Sequence, residues 1–184
     1  MTTAAQTHRS VAGVFTDRVR GVHADAWDLP APCQGWVARD VVRHLVEWFP
    51  AFLSAGAGVE LPKGPPVDED PVAAWLVHSD GVQALLDDPA TPGMVLRNPH
   101  LGTIPLDEAV DRFYTADVFM HTWDLSRATG QDERLDPERC AELLAGMLSM
   151  DDALRAGGHY GPRVEVPDDA DAQTRMLAFI GRTP

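Results

Sequence analysis

Apolar residues recur at intervals of three and four along most of the chain, and this pattern predicts five or six amphipathic helices. The first covers residues 7–27, with Val11, Val14, Phe15, Val19 and Val22 on one face, and is broken by Leu29, Pro30, Ala31 and Pro32. The second, residues 37–55, carries Val41, His44, Leu45, Trp48 and Phe52 on a shared stripe; Pro50 inside it predicts a kink or an early end. The third, residues 69–87, buries Val72, Trp75, Leu76, Val82 and Leu86. The fourth, residues 106–129, has the clearest period and stops at Gly130. A fifth covers residues 137–156, with Pro137 in its first turn and Gly157 and Gly158 at its end. Residues 56–68 read as a Gly- and Pro-rich loop, and residues 88–105, with four prolines and two glycines, as an irregular crossover containing a short extended piece at 94–97. A short β-like run at 164–166 and a last short helix within 169–180 complete the chain. With no internal repeat, the expectation is an all-α bundle with long crossovers, one domain over residues 1–184.

The fourth helix departs from a plain amphipathic pattern. Val110, Phe113, Asp117, His121, Asp124 or Leu125, and Ala128 fall on one face whose ends are apolar, yet an Asp and a His occupy its middle, one turn apart. An ionised carboxylate facing a core requires a partner. Two readings follow: Asp117 and His121 pair with each other as a structural network, or both turn onto a metal ion. His44 on the second helix is flanked by Val41 and Leu45 in the same way, and inward polar groups on two helices meet only over a shared partner. Two imidazoles and a carboxylate suit zinc, nickel, cobalt, manganese or iron(II) rather than calcium or magnesium, and three protein ligands leave a position open for water or substrate.

Charge and composition narrow the partners. The formal net charge is −13 and Lys63 is the single lysine, so nucleic acid and anionic membrane surfaces are not expected. No apolar run approaches the roughly 18 residues of a membrane span. The first nine residues lack a signal-peptide pattern, and a cytoplasmic protein acting on a small molecule is expected. Cys33 and Cys140 lie far apart without C-x-x-C spacing; they read as small hydrophobes, with a thiol-exchange role for Cys33 as the alternative.

The stretch Pro32-Cys33-Gln34-Gly35-Trp36-Val37-Ala38-Arg39-Asp40-Val41-Val42-Arg43-His44-Leu45 resembles the C-x-G-W-x-x-x-D-x-x-x-H-L segment of the DinB-like superfamily, and in particular the actinobacterial branch containing the N-terminal domain of mycothiol-dependent maleylpyruvate isomerase. The run from Asp117 through His121 to Gly130 is the second matching stretch, and the chain end, Tyr160-Gly161-Pro162 through Phe179-Ile180-Gly181-Arg182-Thr183-Pro184, resembles a metal-binding subfamily of that branch. The resemblance implies a four-helix bundle in up-down-down-up order with additional C-terminal helices, and a metal held by His44, Asp117 and His121. Asp117 stands where the isomerase has Glu and many relatives have His, which leaves open whether it reaches the metal directly or through water. The isomerase also carries a further C-terminal domain that this chain is too short to contain. What the resemblance implies about activity is a metal, zinc first and nickel second, that activates a low-molecular-weight thiol such as mycothiol in a transferase or isomerase reaction. A non-catalytic, metal-dependent small-molecule binding module is the alternative. A homodimer is compatible with the superfamily.

Other polar residues carry weaker expectations. Asp124 orients a ligand imidazole or makes a polar contact within its helix. Trp36 and Trp123 read as core residues rather than substrate stackers, Arg43 and Arg127 as solvated, and His8, His23, His78, His100 and His159 as surface or loop residues. No catalytic residue beyond the metal ligands is evident, and no nucleophile elbow, P-loop or dinucleotide fingerprint is present.

Overall fold

The computed structural model describes residues 2–156 and 160–184; Gly157, Gly158 and His159, named above, lie outside the described residues. Helix α1 (Ala4–Gly21) starts on a capping box, in which Thr3 accepts from the Gln6 N–H and the Gln6 side chain accepts from the Thr3 N–H. Its buried face is His8, Ala12, Phe15 and Val19. Val14, expected on that face, is 42% exposed, because the stripe runs one position round from the one its valines suggest. The helix is also shorter than residues 7–27: Val22 turns to extended backbone, and the following loop is tied by an isolated Pro30–Val37 bridge.

Helix α2 (Ala38–Ala57) is capped by Asp40, whose carboxylate accepts the Val37 N–H at 3.0 Å. It runs through Pro50 and ends at Gly58 in the left-handed region, φ 66°. The early end expected at Pro50 does not occur. Leu45, Phe49 and Leu53 are completely buried on both sides of the proline, and this packing outweighs one missing backbone hydrogen bond. Helix α3 (Pro71–Asp87) is capped by Asp70, which accepts the Ala73 N–H at 2.9 Å, with Pro71 in the first turn.

The crossover holds more structure than its prolines suggest. The extended piece expected near 94–97 is β1 (Val95–Asn98), which pairs antiparallel with β2 (Gly102–Pro105) and sets buried Leu96 opposite buried Ile104. The expected fourth helix is three segments in series: α4 (Leu106–Ala109), a π-helical turn (Val110–Thr115) and α5 (Ala116–Thr129), ending at Gly130 with φ 69°. The fifth divides into α6 (Pro137–Leu148) and α7 (Asp151–Ala156), and α8 (Ala172–Phe179) closes the chain. Residues 164–166 are not a strand; the Val164 N–H donates to the Ala178 carbonyl, fastening this segment to α8.

Helices α1 and α2 each pack on both α3 and α5, which makes an all-α four-helix core of the DinB-like kind. A second apolar cluster lies on the far side of α5, where Phe119, Met120 and Trp123 meet Cys140, Leu144 and Met147 of α6 and Met176, Leu177 and Phe179 of α8. Helix α5 is therefore covered on nearly every side, and every residue from Val118 to Ser126 is buried. Its single inward face, read from the periodicity, is half of the arrangement. His8 and His78 are also core residues, 0% and 3% exposed, and not surface residues as expected. They sit at core registers of α1 and α3, four before Ala12 and three after Trp75. Among the described residues, no helix is long and apolar enough to cross a membrane.

Candidate metal centre

The residues expected to act together do meet. His44 from α2 and Asp117 and His121 from α5 bring one donor atom each within 4.8 Å of one another. The Asp117 carboxylate lies between the two rings: Oδ2 is 3.0 Å from His44 Nε2, and Oδ1 is 3.5 Å from His121 Nε2. The imidazoles stand edge-on, 4.9 Å apart. Four donors at zinc-like bond lengths sit about 3.3 Å from one another around a tetrahedral ion. The two His–Asp separations bracket that spacing, each measured to a different oxygen of the Asp117 carboxylate. The donor set fits a divalent transition ion.

The three donor residues differ in access. The His121 side chain is 7% exposed, whereas those of Asp117 and His44 are 19% and 32% exposed, so the cluster opens to solvent on the His44 side. Trp36 covers it from the loop before α2, stacked on His121 at 5.7 Å and 17° and tilted against His44 at 5.2 Å. Trp48, one turn after His44, donates its indole N–H to Asp117 Oδ2 at 3.0 Å. Trp36, expected in the core, is partly buried against the first apolar cluster and also lines this site; Trp123 is 1% exposed and belongs to the second apolar cluster, as expected.

A second polar group lies behind His121. Its Nδ1 is 2.9 Å from Asp124 Oδ2, and Asp124 is completely buried. Arg182, near the chain end, donates from Nε to Asp124 Oδ1 at 2.7 Å, and from Nη2 to Asp124 Oδ2 at 3.0 Å and to Cys33 Sγ at 2.9 Å. Cys33, His121 and Asp124 also lie close enough to form a metal-ligating trio. The Arg182 guanidinium, however, already supplies the positive charge between Cys33 and Asp124. A cation there would displace it, whereas the His44 side of His121 faces the Asp117 carboxylate and the Trp36 ring.

Electrostatics follow this geometry. Burial opposes charge on His121, but Asp117, Asp124 and Cys33 together raise its pKa to about 10. Burial likewise opposes the Asp117 carboxylate, yet His121, His44 and Trp48 hold its pKa below the ordinary range. Asp124 is held at about 2, because His121 and Arg182 outweigh the effect of its burial. The two carboxylates flanking His121 therefore favour its protonated form.

Elsewhere the expectations divide. Arg43 pairs with Asp40 and Asp68, and the exposed Arg127 pairs with Glu133. Cys140 is buried, and its thiol is pushed up to about 11 by burial and by Asp136 and Asp171. Trp48, one turn from His44 on the same stripe, was legible as a neighbour but not as a hydrogen-bond donor. Arg182 lies 58 residues from Asp124, and no periodicity links the two.

Residues 8–126 match the family described as the mycothiol maleylpyruvate isomerase N-terminal domain, and the chain belongs to this family. It is 29% identical over 182 residues to uncharacterised proteins from two strains of Mycobacterium tuberculosis, CDC 1551 and ATCC 25618, with 96% of each chain covered in both comparisons. No solved structure gives a significant match.

Proposed function

We propose that the chain is a metal-dependent protein that uses a low-molecular-weight thiol of the mycothiol type to transform a small molecule, as a transferase or isomerase. The observation that carries this reading is the three-donor set His44, Asp117 and His121, closed on the His121 side and open on the His44 side. Membership of a mycothiol-related family supports the thiol. A structural metal site is coordinated all round, whereas three ligands with one exposed edge are the arrangement of a reactive site. A divalent transition ion held there supplies Lewis acidity, which lowers the pKa of a thiol or water or polarises a carbonyl.

The chain's own residues have distinct parts in this reading. Asp117 lends the site negative charge, His121 is the fixed ligand and His44 the accessible one. Trp36 and Trp48 keep bulk water from the ligand atoms and give a planar substrate an aromatic surface. The test is elemental analysis of the purified protein beside His121→Ala, followed by thiol-consumption assays with a panel of small electrophiles. The expected result is about one equivalent of transition metal in the wild type, lost in the variant, with turnover that requires thiol. No stoichiometric metal in the wild type after reconstitution overturns the reading. Metal and ligand-induced stabilisation without turnover would make the protein a binding module.

A further inference from the structure

The in-plane surroundings of His121 differ sharply at its two nitrogens. Nε2 faces the open site, whereas Nδ1 faces a carboxylate that has no solvent contact. Asp124 Oδ2 is the acceptor at 2.9 Å, and both Asp124 oxygens are taken by the Arg182 guanidinium, at 2.7 Å to Oδ1 and 3.0 Å to Oδ2. A carboxylate fixed by a two-point fork cannot rotate about its last torsion. The same guanidinium holds Cys33, three residues before the Trp36 that stacks on His121. The His121 ring is therefore gripped in its plane by Asp124 and across its face by Trp36, and Arg182 ties both holds together.

We propose that Arg182, acting through Asp124, is the positioning residue of the metal centre: it fixes Nδ1 as the proton-bearing nitrogen of His121 and leaves Nε2 as the ligand atom. The proposal rests on the metal reading above for its purpose, but its geometric content does not depend on an ion. Ligating imidazoles are generally oriented by an acceptor at the second nitrogen, and loss of that acceptor costs roughly 10- to 100-fold in metal affinity. Here the orienting acceptor itself depends on a residue two positions from Pro184. The turn that delivers it is a helix C-terminus closed on Gly181, φ 85°, with the Arg182 N–H donating to the Leu177 carbonyl at 2.9 Å. Arg182 thus reaches Asp124 through the turn that ends α8.

A bland alternative is that Arg182 only neutralises a buried carboxylate. The two readings differ at His121. The experiment is NMR of metal-free protein labelled with 15N in histidine, comparing wild type, Arg182→Gln and Arg182→Lys, with His121→Ala for assignment and zinc affinity measured by chelator competition. The expected result is a slowly exchanging His121 Nδ1–H in the wild type. It is lost in Arg182→Gln with a roughly 10- to 100-fold fall in zinc affinity, and partly restored in Arg182→Lys. If Arg182→Gln fails to fold, exchange of that proton in Arg182→Lys decides, because an ammonium cannot reproduce the two-point fork. A protected Nδ1–H unchanged in both Arg182 variants overturns the proposal, as does its absence from the wild type. A protected proton that depends on Arg182, in a protein that takes up no zinc, upholds the positioning and sinks the metal reading instead.

Discussion

The indole N–H of Trp48 donates to Asp117 Oδ2 at 3.0 Å, the same oxygen that faces His44 Nε2. This hydrogen bond fixes the carboxylate on the side away from His121, so that one oxygen faces each imidazole. Replacing Trp48 with Phe keeps an aromatic ring against Phe49, Phe52 and Tyr114 but removes the donor. We expect zinc affinity to fall about 10-fold, the lower end for loss of an orienting contact, with little change in thermal stability. Chelator competition measures the first and thermal unfolding the second. An unchanged affinity would mean that the two histidines alone fix the carboxylate.

The wall behind the site rests on Phe49, which is fully buried and stacked on Tyr114 of the π-helical turn with ring centroids 4.0 Å apart and 13° between planes. Phe52, three residues later, is only half-buried. Phe49→Ala is expected to cost about 3–5 kcal/mol of unfolding free energy, and Phe52→Ala distinctly less. Urea unfolding of the two variants measures the difference. Equal losses would show that the core is not anchored on the π-turn.

Gly181 stands at a point of close backbone approach. A Cβ there would lie 2.9 Å from the Gly161 Cα and carbonyl carbon and from the Pro162 oxygen, and φ is +85°. These neighbours are backbone and cannot swing away. Gly181→Ala is expected to destabilise the packing of the C-terminal segment by roughly 1–3 kcal/mol, with earlier proteolysis near the chain end than in the wild type. Limited proteolysis followed by mass spectrometry reads this directly. A cleavage pattern matching the wild type would show that the segment can shift to accommodate the methyl group.

Much of this architecture was legible in the sequence, for identifiable physical reasons. His44, Asp117 and His121 stood out because an unpaired charge on an apolar stripe is too costly to persist by accident, and the structure brings them together across α2 and α5. The phase of α1 was misread because Val14 is as apolar as Val19; only the packing partner distinguishes a buried valine from an exposed one. The π-turn at Val110–Thr115 left no mark, since one extra residue per turn changes which neighbours meet without changing composition. Arg182 was illegible as a partner of Asp124 because their contact is made by the tertiary fold, through α8, and no local rule connects the two positions.

The two core histidines make the fold sensitive to acid. His8 Nδ1 lies 3.0 Å from Thr115 Oγ1, while the Nε2 atoms of His8 and His78 have no hydrogen-bond partner among the described residues, and both rings pack near Tyr114. Burial lowers the pKa of each from 6.5 to about 4; Arg9 adds to the effect at His8, and His8 adds to it at His78. The unfolded chain therefore binds protons between pH 6.5 and 4 that the folded chain refuses, and stability is fully present above pH 6.5 and declines as pH falls through that window. At about 1.4 kcal/mol per pKa unit, each histidine accounts for up to about 3 kcal/mol near pH 4. Urea midpoints measured from pH 7 to pH 4.5 in metal-free protein should drop steeply. His78→Leu, which carries no titratable group into the core, should flatten roughly half of that slope. A variant as acid-sensitive as the wild type would place the proton uptake outside this pair.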